Sequence, residues 1–234
     1  MNAIDEIYTA CPFYGHRKIK PELADKYGLH IGKKRIIRLM KELGLKAIYP
    51  RKGLNLSIPE SSHKKFPYLL SNMPIVRPNQ VWGTDITYIR LKKRFAYLVA
   101  IIDWFSRYVI AWNLATTLES IFCVKTLEQA LRQSTADIHN SDQGAQFTDK
   151  DYIAVLESKN IKISMDGRGR CMDNIFTERL WRTIKYENVY LNDYTTFDEA
   201  HAGLSEYIKF YNERRKHQAL GYKTPAQIYF QKTI

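Results

Sequence analysis

Three acidic residues on separate segments of the sequence have the types and spacing that phosphoryl transfer requires. Asp85 lies inside a strand-like run, Asp142 follows a second apolar run, and Glu178 lies in a helix-like segment. Thirty-five residues separate Asp142 from Glu178. Mg²⁺ prefers carboxylate oxygens, and two ions about 3.5–4 Å apart activate a nucleophile while they stabilise the leaving oxygen. We therefore interpret these three residues as the carboxylates of a two-metal site.

Asp103 is the main rival, because it also ends an apolar run. Ser106 and Arg107 follow within one turn, so we interpret Asp103 as a structural residue that holds this turn or pairs with Arg107. Asp166 and Asp173 are interpreted as capping or loop residues. None of these three aspartates is therefore assigned to the metal site.

A helix predicted from Asn174 to about residue 190 carries the glutamate, with Asn174 as its N-cap. Glu178, Arg182 and Lys185 fall at positions i, i+4 and i+7, hence on one face of this helix. Trp181 on the same helix either faces DNA or packs into the core. Catalysis and phosphate binding are thus predicted to share one helix face.

The other elements that must position these residues begin at residue 80. Strands are predicted at 81–89, 95–103, 108–112, 137–140 and 161–165, and helices at 118–133 and from Thr148 to about 159. The first three strands are closely connected, which predicts an antiparallel meander. With the later helix, this order is that of an α/β, ribonuclease-H-like fold. In that fold the first and fourth strands lie side by side below the later helix, so the three carboxylates converge. His139, on the fourth strand, is interpreted as buried or capping and not as a metal ligand.

The first 48 residues are predicted to form a small helical, helix-turn-helix-like DNA-binding domain. Helices at 17–27 and 33–43 flank a glycine-containing turn, and Gly44 ends the second helix. Twelve Lys and Arg against six Asp and Glu among residues 1–60 supply half of the net charge of +12. This lopsided charge favours DNA contact over the alternative, a helical hairpin with a solvated basic face. The predicted DNA contacts of the whole chain are Arg17, Lys18, Lys33, Lys34, Arg35, Arg38, Arg168, Arg170, Arg182 and Lys185.

The composition of the chain predicts the remaining domain boundaries, the class of partner and the location of the protein. Five prolines between residues 50 and 78 predict a linker at 49–79, followed by a catalytic core at 80–192 and a helical basic tail at 193–234 that continues the core. A net charge of +12 and a pI of about 9.5 imply a polyanionic partner, for which DNA is the natural candidate. No apolar run is long enough to span a membrane, and three cysteines without a CxxC pair fit a reducing cytoplasm.

Ordered motifs along nearly the whole chain resemble a known family. They are Tyr14-Gly15-His16-Arg17, Trp82-Gly83-Thr84-Asp85, Asp103-Trp104-Phe105-Ser106-Arg107, Ser141-Asp142-Gln143-Gly144, Asp173-Asn174 with Glu178, and Tyr211-Asn212-Glu213-Arg214-Arg215. Together these resemble the transposases of bacterial insertion sequences in the DDE, retroviral-integrase superfamily. More narrowly, the chain resembles the second-frame (OrfB-type) products of the IS-three family.

The resemblance implies a DDE catalytic core with two Mg²⁺ or Mn²⁺ ions held by Asp85, Asp142 and Glu178. It implies metal-dependent cleavage and strand transfer at insertion-sequence ends, by attack of a 3′-hydroxyl without a covalent enzyme intermediate. The expected partners are double-stranded DNA of the element ends and target, further copies of the chain on DNA, and a first-frame (OrfA-type) protein. The family's basic residue seven positions after the glutamate corresponds to Lys185. The expected location is the bacterial cytoplasm, at the nucleoid.

Two other functions stay open at this point. A transposase remnant would bind DNA without catalysis and act as a competitor or regulator, although the intact set of carboxylates disfavours decay. A ribonuclease H-type nuclease would cut RNA–DNA hybrids, but the basic two-helix unit and basic tail disfavour that substrate. No His-His-Cys-Cys cassette is present near the N-terminus, so we do not expect the zinc-binding domain of retroviral integrases.

Overall fold

The computed structural model describes residues 2–48, 66–166 and 174–231. These residues fall into two compact units, and the boundary between them lies between residues 48 and 66. Within the described residues, no helix is long and apolar enough to cross a membrane.

The N-terminal unit consists of three helices, α1 (Asn2–Ala10), α2 (His16–Tyr27) and α3 (Lys33–Glu42). The two predicted helices are confirmed to within one residue, and Gly44, at a φ of +67°, follows α3 as expected. Sequence analysis missed α1, because only Ile4 and Ile7 of its nine residues are buried and two positions define no clear stripe. Buried apolar side chains of α1, α2 and α3 form the interior of this small unit.

The described part of the predicted linker, residues 66–79, contains neither helix nor strand and lies against the second unit. Leu70 is buried in one of its apolar clusters, and Met73 packs against the same cluster. The backbone N–H of Leu69 donates a hydrogen bond to Ser164 Oγ at 3.1 Å. Residues 49–65 lie outside the described part of the chain.

The second unit is built on a sheet with the order β3-β2-β1-β4-β5. The strands are β1 (Val81–Arg90), β2 (Phe95–Asp103), β3 (Val109–Ala115), β4 (Ile138–Ser141) and β5 (Lys162–Met165). The β1–β2 and β2–β3 pairs are antiparallel, whereas the β1–β4 and β4–β5 pairs are parallel. The predicted meander and the predicted contact between the first and fourth strands are therefore confirmed.

Helices cover both faces of this sheet. They are α4 (Ser120–Leu131), α5 (Lys150–Ser158), α6 (Ile175–Ile184), α7 (Tyr190–Asn192), α8 (Phe197–Glu213) and α9 (Pro225–Tyr229), with a 3₁₀ turn at Gln218–Leu220. Successive residues of β2 point to opposite faces: Leu98 and Ala100 enter the cluster with α6 and α8, and Val99 enters the cluster with α4 and α5. A strand that is buried on both faces needs the unbroken apolar run that β2 has.

Two predicted helix starts differ from the structure in their capping. Asp149, not Thr148, is the N-cap of α5, and its side chain accepts a hydrogen bond from the N–H of Asp151 at 2.9 Å. The Thr148 hydroxyl instead donates to Gly144 O, because Thr148 still belongs to the preceding turn. Asn174 does precede α6, but its side chain makes no capping hydrogen bond to this helix.

The long helix predicted after Asn174 is not a continuous α-helix, because its geometry changes at Lys185. α6 ends at Ile184, and residues Lys185–Val189 form a π-helical turn. Both carboxylate oxygens of Glu187 in this turn accept hydrogen bonds from Arg215, each at 2.6 Å, and Tyr207 adds a third at 2.7 Å. One cation of the predicted basic tail is therefore a buried structural residue that ties the tail to the π-helical turn.

Candidate active site

Sheet register brings Asp85 and Asp142 close together. In the parallel β1–β4 ladder, Gly83 pairs with Asn140. Two residues further along, β1 carries Asp85, and Asp142 follows the end of β4. Asp142 is held by a hydrogen bond from the N–H of Gly144 to its Oδ1 at 2.9 Å. A Cβ at position 144 would lie 2.8 Å from that oxygen, so glycine there leaves room for the carboxylate.

The two aspartates bring negative charges close together in a buried site. Burial, the charge of Asp142 and, to a smaller extent, the charge of Asp166 together raise the pKa of Asp85 to about 7. Hydrogen bonds oppose this shift, because Oδ2 of Asp85 accepts from Trp181 Nε1 at 2.9 Å and Oδ1 accepts from the N–H of Ile86 at 2.7 Å. Burial also raises the pKa of Asp142. Such a pair of hard oxygen ligands suits a divalent cation.

Hydrogen bonds hold helix α6 across β1, beside the pair of Asp85 and Asp142. Asn174 Nδ2 donates to the carbonyl oxygen of Thr84 at 3.2 Å, and Asn174 Oδ1 accepts from the Thr177 hydroxyl. One to two turns later, the indole of Trp181 reaches Asp85. Asn174 thus joins helix to strand in place of the predicted N-cap hydrogen bond.

Glu178 lies on the same stripe of α6 as the residues that contact β1. Asn174, Glu178, Trp181 and Lys185 follow one another at spacings of three or four, which places them on one helix face. The charge of Asp85 raises the pKa of Lys185, although the larger effect of burial lowers it overall. The residues before and after Glu178 on this stripe therefore lie near β1.

The structure does not complete the predicted set of three ligands. The Glu178 side chain is exposed, and no three His, Cys, Asp or Glu side chains within residues 2–48, 66–166 and 174–231 cluster as metal ligands. The sheet therefore joins Asp85 to Asp142, whereas Glu178 stands on the adjoining helix face.

Comparison with known proteins links this geometry to a family. Two family models described as integrase core domain match residues 76–171 and 159–225, and a model described as HTH-like domain matches residues 1–53. An uncharacterised 31 kDa protein of insertion element IS600 from Shigella sonnei is 34% identical over 91% of this chain and 80% of its own length. The putative transposase InsK of insertion sequence element IS150 from Escherichia coli K12 is 32% identical over 92% of this chain and 76% of its own.

The chain belongs to the insertion-sequence transposases. It functions as a transposase of the DDE, integrase-core type in DNA transposition, as the sequence motifs implied. Among solved structures, the integrase catalytic core of HTLV-2 in complex with magnesium matches with a TM-score of 0.54 and 23% identity, over 66% of this chain and 98% of that chain. That similarity confirms the ribonuclease-H-like fold expected from the element order.

The alternative carboxylate, Asp103, has a structural position in this transposase. Its side chain is fully buried and accepts hydrogen bonds from the N–H and hydroxyl of Ser106 and from the N–H of Asn79. The prediction that Asp103 holds the turn is confirmed. The guanidinium of Arg107 lies over the Phe176 ring, 3.4 Å from its centroid, and forms no ion pair with Asp103.

His139 is a core residue, as predicted. Its Nε2 lies 2.8 Å from the hydroxyl of Tyr152, and burial lowers its pKa to about 3. A neutral, enclosed imidazole so placed supports the packing beneath β4 and does not face the aspartate pair.

The predicted DNA contacts have different surroundings in the structure. Arg17, Lys33, Lys34 and Arg35 are exposed on the N-terminal unit, and Arg38 is exposed but forms a 3.4 Å ion pair with Glu42. The ammonium of Lys18 lies 4.8 Å from the centroid of the Tyr14 ring. Arg182 is exposed on α6 and Lys185 is half-buried beside Asp85. Arg168 and Arg170 lie outside the described residues.

Trp181 and Asp166 are the site residues that sequence reasoning did not assign. Trp181 was left between DNA contact and packing; the structure buries it and directs its N–H to Asp85. Asp166 follows β5, accepts a hydrogen bond from Asn140 Nδ2 at 2.8 Å, and adds negative charge near Asp85. The helical spacing of Trp181 from Glu178 was the available signal, since residues three apart share a face.

Proposed function

We propose that this transposase cleaves and joins DNA at the ends of its insertion sequence, with Asp85, Asp142 and Glu178 as the catalytic carboxylates. The observation that carries the proposal is the pair of buried aspartates at the β1–β4 junction, with Lys185 as a neighbouring cation of Asp85. The position of Glu178, on the α6 stripe that holds Trp181 and Lys185, supports its inclusion.

The residues present fit a divalent metal. Asp85 and Asp142 supply hard oxygen donors. Burial raises the pKa of both, repulsion from Asp142 raises that of Asp85 further, and a bound cation would favour the ionised form of each. The HTLV-2 integrase core, which shares the fold, is described in complex with magnesium. When bound, two Mg²⁺ or Mn²⁺ ions would supply Lewis acidity to the phosphate and lower the pKa of the attacking hydroxyl. Asp85 and Asp142 would hold them together with Glu178.

The remaining side chains of the site orient these ligands and the DNA. Trp181 and the N–H of Ile86 hold the two oxygens of Asp85, and the N–H of Gly144 holds Oδ1 of Asp142, so both carboxylates are oriented by the protein. Lys185 is a half-buried cation and would bind a phosphate of the reacting strand. Exposed cations of α2 and α3 would bind the backbone of the element end.

We further propose that the active species is an oligomer of this chain on DNA, joined by a first-frame protein, in the bacterial cytoplasm. A single chain has one aspartate pair, whereas an element has two ends that must react together. The mass of the complex with end DNA, measured by sedimentation with and without the first-frame protein, tests this proposal.

The direct test uses labelled duplex DNA that carries the ends of the element encoding the chain. With Mg²⁺, we expect nicked strands and then joined products, and neither product from the Asp142→Asn variant. An RNA–DNA hybrid of the same sequence should stay intact. Cleavage of the hybrid alone would identify a ribonuclease H-type nuclease, and end binding without any product would identify a non-catalytic DNA-binding protein.

DNA contact by the N-terminal unit has its own test. Reversing the charge of Lys34, Arg35 and Arg38 should weaken DNA binding and flatten its dependence on salt, because fewer counterions are released. Reversal of Lys20, Lys26 and Lys46, which lie outside α3, makes the same change in net charge and serves as the control. If both variants change the salt slope equally, α3 has no special role in binding.

A further inference from the structure

The tip of the β1–β2 hairpin carries exposed aromatic rings beside a group of cations. Tyr88 and Phe95 are 46% and 53% exposed, and Tyr97 is half-buried. The ring of Tyr88 lies 6.2 Å from Phe95 and 5.2 Å from Tyr97 between centroids, in edge-to-face contacts. We name as the hairpin patch these three residues with Arg90, Lys92, Lys93 and Arg94.

The strand register explains why these rings stay at the surface. Tyr88 pairs with Tyr97, and Arg90 pairs with Phe95, so the rings project from one face of the hairpin. The alternate residues Ile89 and Ala96 are completely buried on the opposite face. Tyr97 also packs against a core cluster, whereas the rings of Tyr88 and Phe95 belong to neither cluster and remain exposed.

The charge around these rings has one sign only. Between Asp85 and Asp103 the chain contains four cations and no acidic residue. All four cations of the hairpin patch are exposed, and none of them forms an ion pair within the part of the chain that the structure describes. Rings interleaved with unpaired cations are typical of surfaces that bind nucleic acid.

We propose that the hairpin patch is a second DNA-binding site, which holds the DNA that flanks the reacting phosphate. Its cations would contact phosphates and its rings would contact bases or sugars of that segment. The proposal rests on the proposed function, because it needs DNA at the aspartate pair. A second copy of the chain is the less favourable occupant, since a two-fold contact would set these four cations against the same four.

The distance from the aspartate pair indicates which DNA segment is held. Lys92 lies seven residues beyond Asp85, and a strand rises about 3.4 Å per residue, so the turn is about 24 Å away along β1. Duplex DNA advances about 3.4 Å per base pair. Asp85 and Ile89 share one face of β1, so the rings project from the other face of the sheet. The turn cations are therefore the contacts expected about seven base pairs from the reacting phosphate, and the rings would contact the DNA beyond them. Shorter flanking DNA should not reach the patch.

The first experiment removes the cations of the turn from the full chain. The triple variant Lys92→Ala, Lys93→Ala and Arg94→Ala should bind end DNA more weakly and reduce the slope of log affinity against log salt by up to about 2.7, or about 0.9 per phosphate contact. The control triple variant Lys125→Ala, Arg132→Ala and Lys159→Ala loses the same charge from scattered exposed positions and should keep the parent slope. The difference between the variants should vanish on DNA trimmed to fewer than about seven flanking base pairs.

The second experiment removes the rings but keeps apolar side chains on the strands. Tyr88→Leu with Phe95→Leu should lower affinity at least about fivefold for DNA whose flanking bases are unpaired, because base stacking on aromatic rings is lost. Affinity for fully paired DNA should change less. Thermal melting of each variant verifies that the hairpin remains folded.

These outcomes separate the hairpin proposal from the proposed function. Binding is measured without joining, so a parent protein that binds but never joins refutes the chemistry and leaves the binding comparison intact. Equal affinities and salt slopes for the parent and the turn variant would overturn the hairpin proposal. A change in oligomeric mass with unchanged DNA binding would also overturn it, by identifying the patch as a contact between copies.

Discussion

Asp85 and Asp103 stand on neighbouring strands of one sheet, but their surroundings differ in kind. The carboxylate of Asp103 is enclosed and accepts three hydrogen bonds, from two groups of Ser106 and from the N–H of Asn79. Asp85 accepts two hydrogen bonds and faces the like charge of Asp142. One aspartate is surrounded by hydrogen-bond donors, and the other is buried beside a like charge.

The pKa shifts express this difference in electrostatic terms. Burial raises the pKa of both groups, and hydrogen bonds from Ser106 and Asn79 counteract that effect at Asp103. At Asp85 the neighbouring negative charge adds to burial, and the pKa rises to about 7. Clustered like charges of this kind mark functional sites more often than structural ones, whereas a carboxylate surrounded by donors marks a turn.

The largest expected effect comes from making the same substitution at each aspartate. Asp85→Asn and Asp142→Asn should each abolish nicking and joining, by about a thousandfold or more, because a neutral amide is a poor ligand for Mg²⁺. Glu178→Gln should do the same, with DNA binding largely retained in all three. Asp103→Asn should keep most of its activity. Activity is measured on labelled end DNA with Mg²⁺, after folding is verified by circular dichroism.

Two results would contradict the roles assigned to these aspartates. An Asp142→Asn protein with near-normal joining would remove the β1–β4 junction from catalysis. A well-folded but inactive Asp103→Asn protein would show that the enclosed aspartate was misjudged.

Asp85 and Asp103 should also differ in their effects on the stability of the protein, and these effects are smaller than those on catalysis. Asp103→Asn replaces an acceptor with an NH₂ group opposite bound donors, at a cost of about 1–3 kcal/mol in the free energy of unfolding. Asp85 behaves differently, because its pKa of about 7 in the folded state exceeds the value of about 3.9 in the unfolded chain. The folded state keeps that proton to higher pH, so stability is lost as the pH rises through this window.

Thermal unfolding of metal-free protein between pH 4 and 8 measures this effect. Asp85→Asn should flatten the fall in melting temperature between about pH 4 and pH 7, and Asp103→Asn should lower the melting temperature across the range. Added Mg²⁺ should stabilise the parent and Asp103→Asn but not Asp85→Asn, because only a folded state that binds the ion gains from it. Equal pH profiles for the parent and Asp85→Asn would contradict the electrostatic account.

Lys185 offers a further test, because it is a half-buried cation close enough to Asp85 to interact with its charge. It lies seven residues after Glu178, about 10.5 Å along the helix axis, and the charge of Asp85 raises its pKa against the effect of burial. Lys185→Ala should reduce joining about tenfold and weaken end binding while stabilisation by Mg²⁺ persists. Arginine should restore part of the activity, since it keeps the charge but not the shape.

Arg179→Ala removes an exposed cation of the same helix that is not among the predicted DNA contacts, and it is the matched control for Lys185→Ala. Identical end affinity and joining rate in the parent and Lys185→Ala would leave Lys185 as an ordinary helix cation. The contribution of this helix face would then be limited to Glu178 and Trp181.

The sequence predicted the sheet well, because the evidence for each strand is local. The apolar run of β2 and the aspartate after β4 follow directly from the residue order, and the β1–β4 contact follows from the fold class. Contacts between distant segments were not predictable in this way. The pair between Arg215 and Glu187 joins residues 28 apart, and a basic tail motif gives no sign that one of its cations is buried.

The direction of side chains was the other feature that could not be predicted from the sequence. The sequence placed Trp181 on the helix of Glu178 but left DNA contact and packing open, because its bond to Asp85 depends on where α6 crosses β1. That crossing is set by Asn174, whose amide bonds to the backbone of Thr84 where a helix cap was predicted. Exposure of Glu178 was equally invisible in the sequence, since spacing assigns a residue to a face but does not determine what the face meets.

The smallest expected effect tests whether Trp181 belongs to the site or only to the core. Trp181 is 6% exposed, and its indole N–H donates to Asp85 Oδ2 at 2.9 Å, a bond that lowers the pKa of Asp85. Trp181→Phe keeps a buried ring but removes the donor, so the pKa of Asp85 should rise further. Joining at pH 7 should fall several-fold, which is less than the roughly 1.5–3 kcal/mol of a whole hydrogen bond to a charged group would produce, because Asp85 keeps its bond from the N–H of Ile86. Activity should recover toward pH 9, where Asp85 is ionised again.

Trp112→Phe, which alters a half-buried ring packed on His201, controls for loss of indole volume. A lowered but unshifted pH profile in Trp181→Phe would mean that the indole serves packing alone and that Asp85 is oriented by its own strand.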